Sequence, residues 1–564
     1  MRFHQTSLVL RSSLLLVFSL TAGQFVVSCG SDGRDFGDSS GNGGDAGDTG
    51  NDDGGKSSGG STSGGTADGG KPGAGATSSA AGRDSGESGA GGGSNEPEVI
   101  CVLNDGEIVA GCRPAEDTIF VDAGAADGGT GTRLKPAKTL AAALQLAKLR
   151  SISQLALCEG TYAEPLSVDQ ASAVRLVAGG FSCDTWEYSE ERRSLVRPAE
   201  PGYALVVDVP EEQVAFLSVA FESLDAVNPG DSSVAAFVRG SSAVRFERVS
   251  FTAGIGRPGA KGATVNYVVG NAATNWPSAV ASPGTSTSGG AAVTVTCPGS
   301  NLKSVGGSGG TSRDTSVSPT REQVDATAGT PSGGTAGTST LVYNSPSSCT
   351  GGGSVSTAAK AGDDGTGAKQ LGALSATGWK PQGGVAGKVG LAGGGGGGGG
   401  FLANCGASAG GAGCSTFSNG GGGGPGGCGG AGGAAGLGGG SSVALMSFQS
   451  AITIVGGSFT AANGGDGGAG DAGQVGQAGK SGGARWLASG QTSGCSGGSG
   501  GNGGPGGGGG GGSGGSSLGV LWSGTAPVLE ADPTFSLGAA GDGGKGAGSN
   551  NSGDPGAARN LQAL

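Results

Sequence analysis

Short apolar runs separated by turn residues dominate the chain between residues 99 and 253. The runs in "QLALCEG", "YALVVDV" and "AVRFERVSF" have the length and composition that are typical of β-strands. One segment differs, because Leu140, Ala143, Leu144 and Ala147 follow a glycine turn at the helical spacing i, i+3, i+4 and i+7, and Pro136 suits the entry to a helix. The pattern predicts a strand-rich region with one helix near its start.

A repeat of about 22 residues extends the strand pattern towards the end of the chain. Its copies, at 232–254, 441–462 and 516–538, each begin with two serines and continue with an apolar run, a turn and a second strand. Repeats that cannot bury a face alone are expected to stack, with insertions leaving from one edge. We therefore expect a core ladder of phenylalanines, rather than a ligand platform, from the residues 19, 18 and 19 positions after the first serine: Phe251, Phe459 and Phe535.

The order of these elements resembles the start of right-handed parallel β-helix proteins of the pectate-lyase type. Residues 118–148 carry the likeness, with a "VD...G...G(T)...KP..T...AL..A" entry before the strands. The resemblance implies an all-β fold, a right-handed parallel β-helix whose N-terminal helix caps the open end. An uncapped first coil would expose unpaired backbone groups. A fold of this kind says little about function.

Glycine recurs at every third position in several segments outside the strands. It does so without a miss from Gly464 to Gly482, and again at 384–393. A period of three is that of the polyproline-II helix, and glycine at each third site lets backbones approach closely. The intervening prolines are too few for collagen. These insertions resemble the glycine-rich regions of PGRS-type mycobacterial proteins, although this chain lacks the helical domain of that family; a flexible linker is the alternative.

The N-terminus has the features of an export signal. Arg2 and Arg11 precede or flank an apolar run at 14–23 that is too short for an ordinary membrane span. The following "VVSC" resembles a bacterial lipobox, which implies that Cys29 accepts the lipid; a plain secretory signal with a chance cysteine is the alternative. Since Gly30 rather than aspartate follows, we expect a lipid-anchored protein of the outer membrane or cell surface, with the bilayer as a partner through Cys29.

Charge and composition define a tether behind the anchor. Residues 30–98 carry twelve acidic and four basic side chains and almost no large apolar ones, which is typical of a disordered segment. The net charge of −12 becomes −14 when Arg2 and Arg11 are removed with the signal. This acidic balance argues against nucleic acid as a partner.

Together, these patterns divide the chain into alternating strand-rich and glycine-rich parts. They are a lipoprotein signal peptide at 1–28, a disordered Gly/Ser/Asp tether at 29–98, a β-helix core at 99–253, a glycine-rich and Ser/Thr-rich insertion at 254–440, a coil at 441–462, a glycine-rich insertion at 463–515, a coil at 516–538 and a glycine-rich tail at 539–564.

The cysteines favour disulfides over metal binding. Ten remain after Cys29, an even number in an exported chain, and the nearest pairs are Cys101 with Cys112 and Cys158 with Cys183. The sequence does not fix their connectivity. We predict no metal site and no cofactor, since there is no CxxC pair and the only histidine lies in the signal.

Three classes of function remain. A non-enzymatic structural, adhesive or matrix-interaction role fits the anchor, the tether and the repeats, and we predict no catalytic residue. A polysaccharide lyase or hydrolase would use charged side chains at a cleft, for which Arg245, Glu247 and Arg248 are the candidates, although alternating charge on an outward strand is common. A polysaccharide-binding protein without turnover would need an exposed aromatic, for which Trp186 is the candidate, with core packing beside Cys183 as its alternative.

Overall fold

The computed structural model describes residues 100–101, 109–263, 283–285, 288–297, 301–313, 322–343, 348–405, 414–486 and 494–564. The predicted signal peptide, Cys29 and the tether up to residue 98 lie outside these residues. Within them the chain forms 28 β-strands and one α-helix. None of the described helical residues makes a segment long and apolar enough to cross a membrane.

Strands are short throughout the chain and rarely exceed five residues. Those before residue 254, with the helix, are β1 Ile119–Val121, α1 Leu140–Arg150, β2 Gln154–Cys158, β3 Gly160–Tyr162, β4 Leu166–Asp169, β5 Leu176–Phe181, β6 Ser194–Val196, β7 Leu205–Asp208, β8 Gln213–Leu217, β9 Val219–Glu222, β10 Ser233–Arg239, β11 Ala243–Glu247 and β12 Ser250–Ala253. Those that follow are β13 Thr294–Thr296, β14 Lys303–Val305, β15 Thr311–Arg313, β16 Glu322–Val324, β17 Thr340–Tyr343, β18 Gly372–Ser375, β19 Gly378–Pro381, β20 Leu402–Cys405, β21 Cys414–Ser418, β22 Ser442–Phe448, β23 Ile452–Val455, β24 Ser458–Ala461, β25 Ser517–Ser523, β26 Val528–Ala531, β27 Thr534–Leu537 and β28 Ala558–Ala563.

Three parallel sheets contain most of the strands. Sheet I has the order β1-β2-β5-β8-β11-β23-β26, sheet II the order β3-β6-β9-β12-β24-β27, and sheet III the order β4-β7-β10-β22-β25-β28. From β2 onwards the chain visits sheets I, II and III in turn, and every pair of neighbours within the three sheets is parallel. A strand-rich, all-β architecture with one helix in the described part is therefore present, as the sequence predicted.

The side chains that the three sheets share form one core, and the repeat supplies its most regular part. Phe251 lies opposite Phe459 in sheet II, and Phe459 opposite Phe535. Each of these ring pairs has its centroids 5.3 Å apart, and Phe221 continues the stack beyond Phe251 at 5.6 Å. Phe251 and Phe459 are at most 1% exposed, which confirms the predicted core ladder.

The second serine of each repeat lies at the corner where the chain passes from sheet II to sheet III and hydrogen-bonds to the backbone there. Ser233, Ser442 and Ser517 lie in register in sheet III and are buried. The hydroxyl of Ser442 accepts the N–H of Ala462 at 2.8 Å, and that of Ser233 accepts the N–H of Gly254 at 2.9 Å. These bonds satisfy backbone donors at the points where glycine-rich segments begin.

Helix α1 packs against β1 and β2 at the start of sheet I. Its buried face contains Leu140, Ala143 and Ala147, as the helical spacing predicted. Thr139 is the N-cap, and the carboxylate of Glu164 accepts the N–H of Leu140 at 2.6 Å. Both contacts satisfy helix N–H groups that have no partner within the helix.

The long glycine-rich insertions all begin where the chain leaves sheet II and end where it enters sheet III, at the corner that contains the buried serines. They connect β12 to β22, β24 to β25, and β27 to β28. Four segments, at 384–400, 420–440, 464–483 and 495–515, lie side by side, and we call them the glycine layer. Hydrogen bonds recur at every third residue between them, as from Gly384, Gly387 and Gly390 to Gly436, Gly433 and Gly430, all at 2.9 Å.

Some strands differ from the sequence-based boundaries. The segment 539–564 is more than a glycine-rich tail, because its last residues form β28, which pairs with β25. The pattern missed β28 because its side chains are mostly exposed, so no apolar run marks it. The insertion 254–440 also contains the nine short strands β13–β21.

Candidate functional site

An open groove of about 580 Å³ runs across the outer face of sheet I. Its lining comes from strands β2, β5, β8, β11 and β23, so each successive turn of the chain contributes to one surface. The polar residues that line the groove are Ser153, Gln154, Arg175, Gln213, Arg245, Glu247 and Thr453.

Strand alternation places Arg245 in the groove. On β11, Val244 and Phe246 point to the core and are at most 2% exposed, while Arg245 between them points outward and is partly exposed. The next strand of the sheet has Thr453 opposite Arg245 and Val455 opposite Glu247. The charged positions 245 and 247 of the first repeat are therefore uncharged in the second.

Arg245 lies between two carboxylates. Its Nη1 donates to Glu530 Oε2 at 2.7 Å, and its Nε lies 3.4 Å from Glu247 Oε2. Burial alone would lower the pKa of the Arg245 guanidinium, but the hydrogen bond and charge of Glu530, together with those of Glu247, raise it above its ordinary value. The raised pKa favours the charged form of Arg245, which can bind an anion or bridge the strands and is a poor base.

Glu247 is a carboxylate with almost no access to solvent. Its side chain is 3% exposed, and the guanidinium groups of Arg245 and Arg248 lie within 3.4 Å of its two oxygens. Burying a charged carboxylate away from water is unfavourable unless nearby cations compensate the lost hydration. The two arginines provide that compensation, which favours a structural role for Glu247 over one in contact with a substrate.

Arg175 forms the other ionic contact of the groove. Its Nε donates to the carboxylate of Glu212, and its Nη1 donates to the carbonyl of Val174 at 2.7 Å. The hydrogen bond from Arg175 holds the pKa of Glu212 below its ordinary value. The groove thus presents charges that are already paired, on a surface suited to hydrogen bonding with a polar polymer.

The predicted disulfides are present. Cys101 is bonded to Cys112, and Cys158 to Cys183. Two longer-range bonds, Cys297–Cys428 and Cys349–Cys495, tie the insertions to the glycine layer. Their sequence separations of 131 and 146 residues leave no local signal by which the sequence could have paired them.

Trp186 lies in the core. It is 2% exposed, and its ring meets that of Phe120 edge to face at 4.7 Å. Its position beside the Cys158–Cys183 bond favours core packing, the alternative to a glycan contact, because a sugar ring could not stack on a covered indole.

One cluster has the residue types of a metal site. Ligand atoms of Asp122, Cys158 and Cys183 lie within 4.8 Å of one another. The two sulfurs are joined in a disulfide, so neither is a thiolate able to bind a metal ion. The cluster therefore supplies a single ligand, the Asp122 carboxylate, and does not fit a metal.

Sequence reasoning missed two residues that organise the surface. Glu530 reaches Arg245 across 285 positions of sequence. Trp379, on the hairpin β18–β19, packs on the outer face of sheet III beside Phe237 and Met446 and donates from Nε1 to Ser441 Oγ at 3.2 Å. An aromatic in an otherwise polar, glycine-rich insertion is the one signal that could have marked Trp379.

Comparison with known proteins gives no match to a family model, a curated protein or a solved structure.

Proposed function

We propose that this protein is a non-enzymatic, lipid-anchored protein of the bacterial outer membrane or cell surface, with a structural, adhesive or matrix-interaction role. The observation that carries the proposal is the construction of the glycine layer. Its segments are joined by backbone hydrogen bonds and bring few reactive side chains, so a large part of the chain serves a rigid framework. Such a framework suits a spacer or scaffold better than a catalyst.

The proposal includes a right-handed parallel β-helix as the supporting body. It is supported by the cyclic visit of the chain to sheets I, II and III, by parallel pairing throughout, and by the position of α1 at the start of sheet I. In such a stack each coil contacts mainly the coils on either side of it. Long insertions at one corner therefore leave the stacking contacts intact.

The proposal also assigns the glycine layer to polyproline-II-like helices related to those of PGRS-type proteins. Support comes from the hydrogen-bond period of three, which equals the three residues per turn of that helix. Packing of such helices also accounts for the glycines, because a Cβ at Gly470 or Gly473 would overlap a carbonyl oxygen of the neighbouring segment.

Replacing Cys29 by serine tests the anchor. We expect wild-type protein to incorporate radiolabelled palmitate and to fractionate with the outer membrane, whereas Cys29→Ser is unlabelled and soluble, because the acyl chains are lost while the described domain is untouched. Cys29→Ser protein that still fractionates with membranes, or wild type without label, would contradict the lipid anchor.

A polysaccharide-binding role is the second candidate, and the groove on sheet I favours it. The groove is long, open and polar, and Gln154, Gln213 and Thr453 offer hydrogen bonds to hydroxyl groups. A lyase or hydrolase role has weaker support, because Arg245 has a raised pKa and Glu247 is enclosed by two guanidinium groups.

Assays on purified protein separate binding from turnover. We expect no product from common neutral or acidic polysaccharides, with or without calcium, and an unchanged result for Arg245→Ala. Glycan-array binding without turnover would support the second candidate. Product formation that Arg245→Ala abolishes would establish an enzyme and overturn the proposed function.

A further inference from the structure

Three arginines meet at the corner where the chain passes from sheet I to sheet II. A pocket of about 280 Å³ lies there, which we call the arginine corner. Its polar lining residues are Tyr188, Glu190, Arg192, Arg193, Ser218, Arg248, Ser250 and Ser458.

Successive coils contribute to this pocket through the same connection. Arg192 and Arg193 directly precede β6, Ser218 joins β8 to β9, and Arg248 joins β11 to β12. The stacking of parallel coils therefore brings together side chains that are up to 56 positions apart. The lining of the pocket carries three arginines and one acidic side chain, Glu190, while Glu159 and Glu247 contact Arg192 and Arg248 from outside the lining.

Arg248 has a strained backbone. Its φ is 50°, in the left-handed region that side chains with a Cβ rarely adopt, and the next coil places Gly456 at this position with a φ of 63°. Such strain persists where the surrounding structure imposes it, and it is frequent at functional sites. The preceding coil has Ser218 at the same position with a φ of 52°, so the left-handed turn recurs at this corner and Arg248 is the charged residue that occupies it.

The side chain of Arg248 also has unused donors. Its Nε and Nη2 are buried from solvent and make no hydrogen bond within the described part of the chain. Nη2 lies 3.2 Å from Glu247 Oε1, a carboxylate that Arg248 shares with Arg245, while Arg245 also donates to Glu530. These two donors are covered by the protein, but the Arg248 side chain as a whole is 33% exposed, so the rest of the guanidinium is open to a ligand that offers an acceptor in the pocket.

The neighbouring arginines leave room for such a ligand. Arg192 is held by its own contacts, since its Nη1 donates to the carbonyl of Glu187 at 2.9 Å and its Nε lies 3.6 Å from Glu159. Arg193 is exposed at the rim of the pocket. Tyr188 and Ser218, whose hydroxyl oxygens are 2.7 Å apart, add polar groups to the wall.

We propose that the arginine corner binds an oxyanion group, with Arg248 and Arg193 as its principal contacts. The planar guanidinium matches the two oxygens of a carboxylate, sulfate or phosphate, and charge-assisted hydrogen bonds are stronger than neutral ones. The group is either a free anion or a substituent of an extracellular anionic polymer; the polymer form rests on the proposed surface function, whereas the site itself does not.

Equilibrium dialysis of the full-length protein against radiolabelled inorganic sulfate, in sodium chloride of constant ionic strength, tests the site. We expect saturable binding of one sulfate per chain. Loss of a charge-assisted hydrogen bond in Arg248→Gln or Arg193→Gln should weaken it by roughly 10- to 100-fold. Arg559→Gln, an exposed arginine on β28 with the same charge change, should bind as wild type does.

Arg193→Gln keeps the test decisive even if Arg248→Gln misfolds, since Arg193 is exposed and its replacement leaves the core intact. Absence of saturable binding by wild type, or unchanged binding in Arg193→Gln, would overturn the proposal. A competition experiment then tells whether the bound oxyanion belongs to a polymer or is a free anion. Displacement of the label by dextran sulfate at a far lower sulfate equivalent than inorganic sulfate supports a polymer ligand, whereas equal potency supports a free anion and removes the polymer form. Neither result depends on the lipid at Cys29.

Discussion

Gly470→Val is expected to lower the thermal stability of the protein, whereas Ala472→Val should leave it nearly unchanged. A Cβ at Gly470 would overlap the carbonyl oxygen of Gly509 on the adjacent segment. The N–H of Gly470 donates to the backbone carbonyl of Lys545 at 2.8 Å. Overpacking of this kind costs about 1–3 kcal/mol of unfolding free energy or more. Ala472 is exposed in the same segment and already carries a Cβ.

Differential scanning calorimetry and limited proteolysis measure this difference. We expect a lower melting temperature and faster cleavage in 464–483 for Gly470→Val alone. Equal effects of the two substitutions, or no effect of either, would show that the glycine period has no structural role.

Phe459→Ala is the second substitution with a large expected effect. Phe459 is 1% exposed, and its ring lies 5.3 Å from both Phe251 and Phe535. Truncation of a buried phenylalanine leaves a cavity and costs about 3–5 kcal/mol of unfolding free energy. Phe535→Ala is the matched control, since Phe535 is only partly buried in the outermost coil and its truncation should cost clearly less.

Chemical denaturation monitored by fluorescence or circular dichroism compares the two variants. A smaller loss for Phe459→Ala than for Phe535→Ala would contradict the internal position of Phe459. A loss of similar size for both would show that the outermost coil is as well packed as the one before it.

Periodic features of this fold could be predicted from the sequence because each depends on local spacing. Helix α1 was recognisable from apolar residues at 140, 143 and 147, and the ladder from phenylalanines at one offset in each repeat. The glycine period likewise corresponds to a hydrogen-bond period in the glycine layer. In the helix and the glycine layer the residues that pack together recur at a short, regular spacing, and in the ladder they recur at a similar offset within each repeat.

Other features have no local signal. Strands β3 and β4 have three and four residues, too few for an alternation to be recognised. The contact of Arg245 with Glu530 depends on the stacking of coils, because two long insertions separate β11 from β26 in sequence and β23 lies between them in sheet I. The arginine corner arises in the same way, since only the parallel register brings residues 192, 193 and 248 to one pocket.

Amide hydrogen exchange in the glycine layer tests the central claim most directly. The N–H groups of Gly424, Gly427 and Gly430 donate to the carbonyls of Gly498, Gly501 and Gly504 at 2.9 Å, so they should exchange only through opening of the layer. We predict that peptides from 420–440 and 495–515 are protected to a degree comparable with the core strands β22 and β24. Exchange of these peptides at the rate of an unstructured chain, with β22 and β24 still protected, would contradict a structural role for the glycine-rich segments and with it the proposed function.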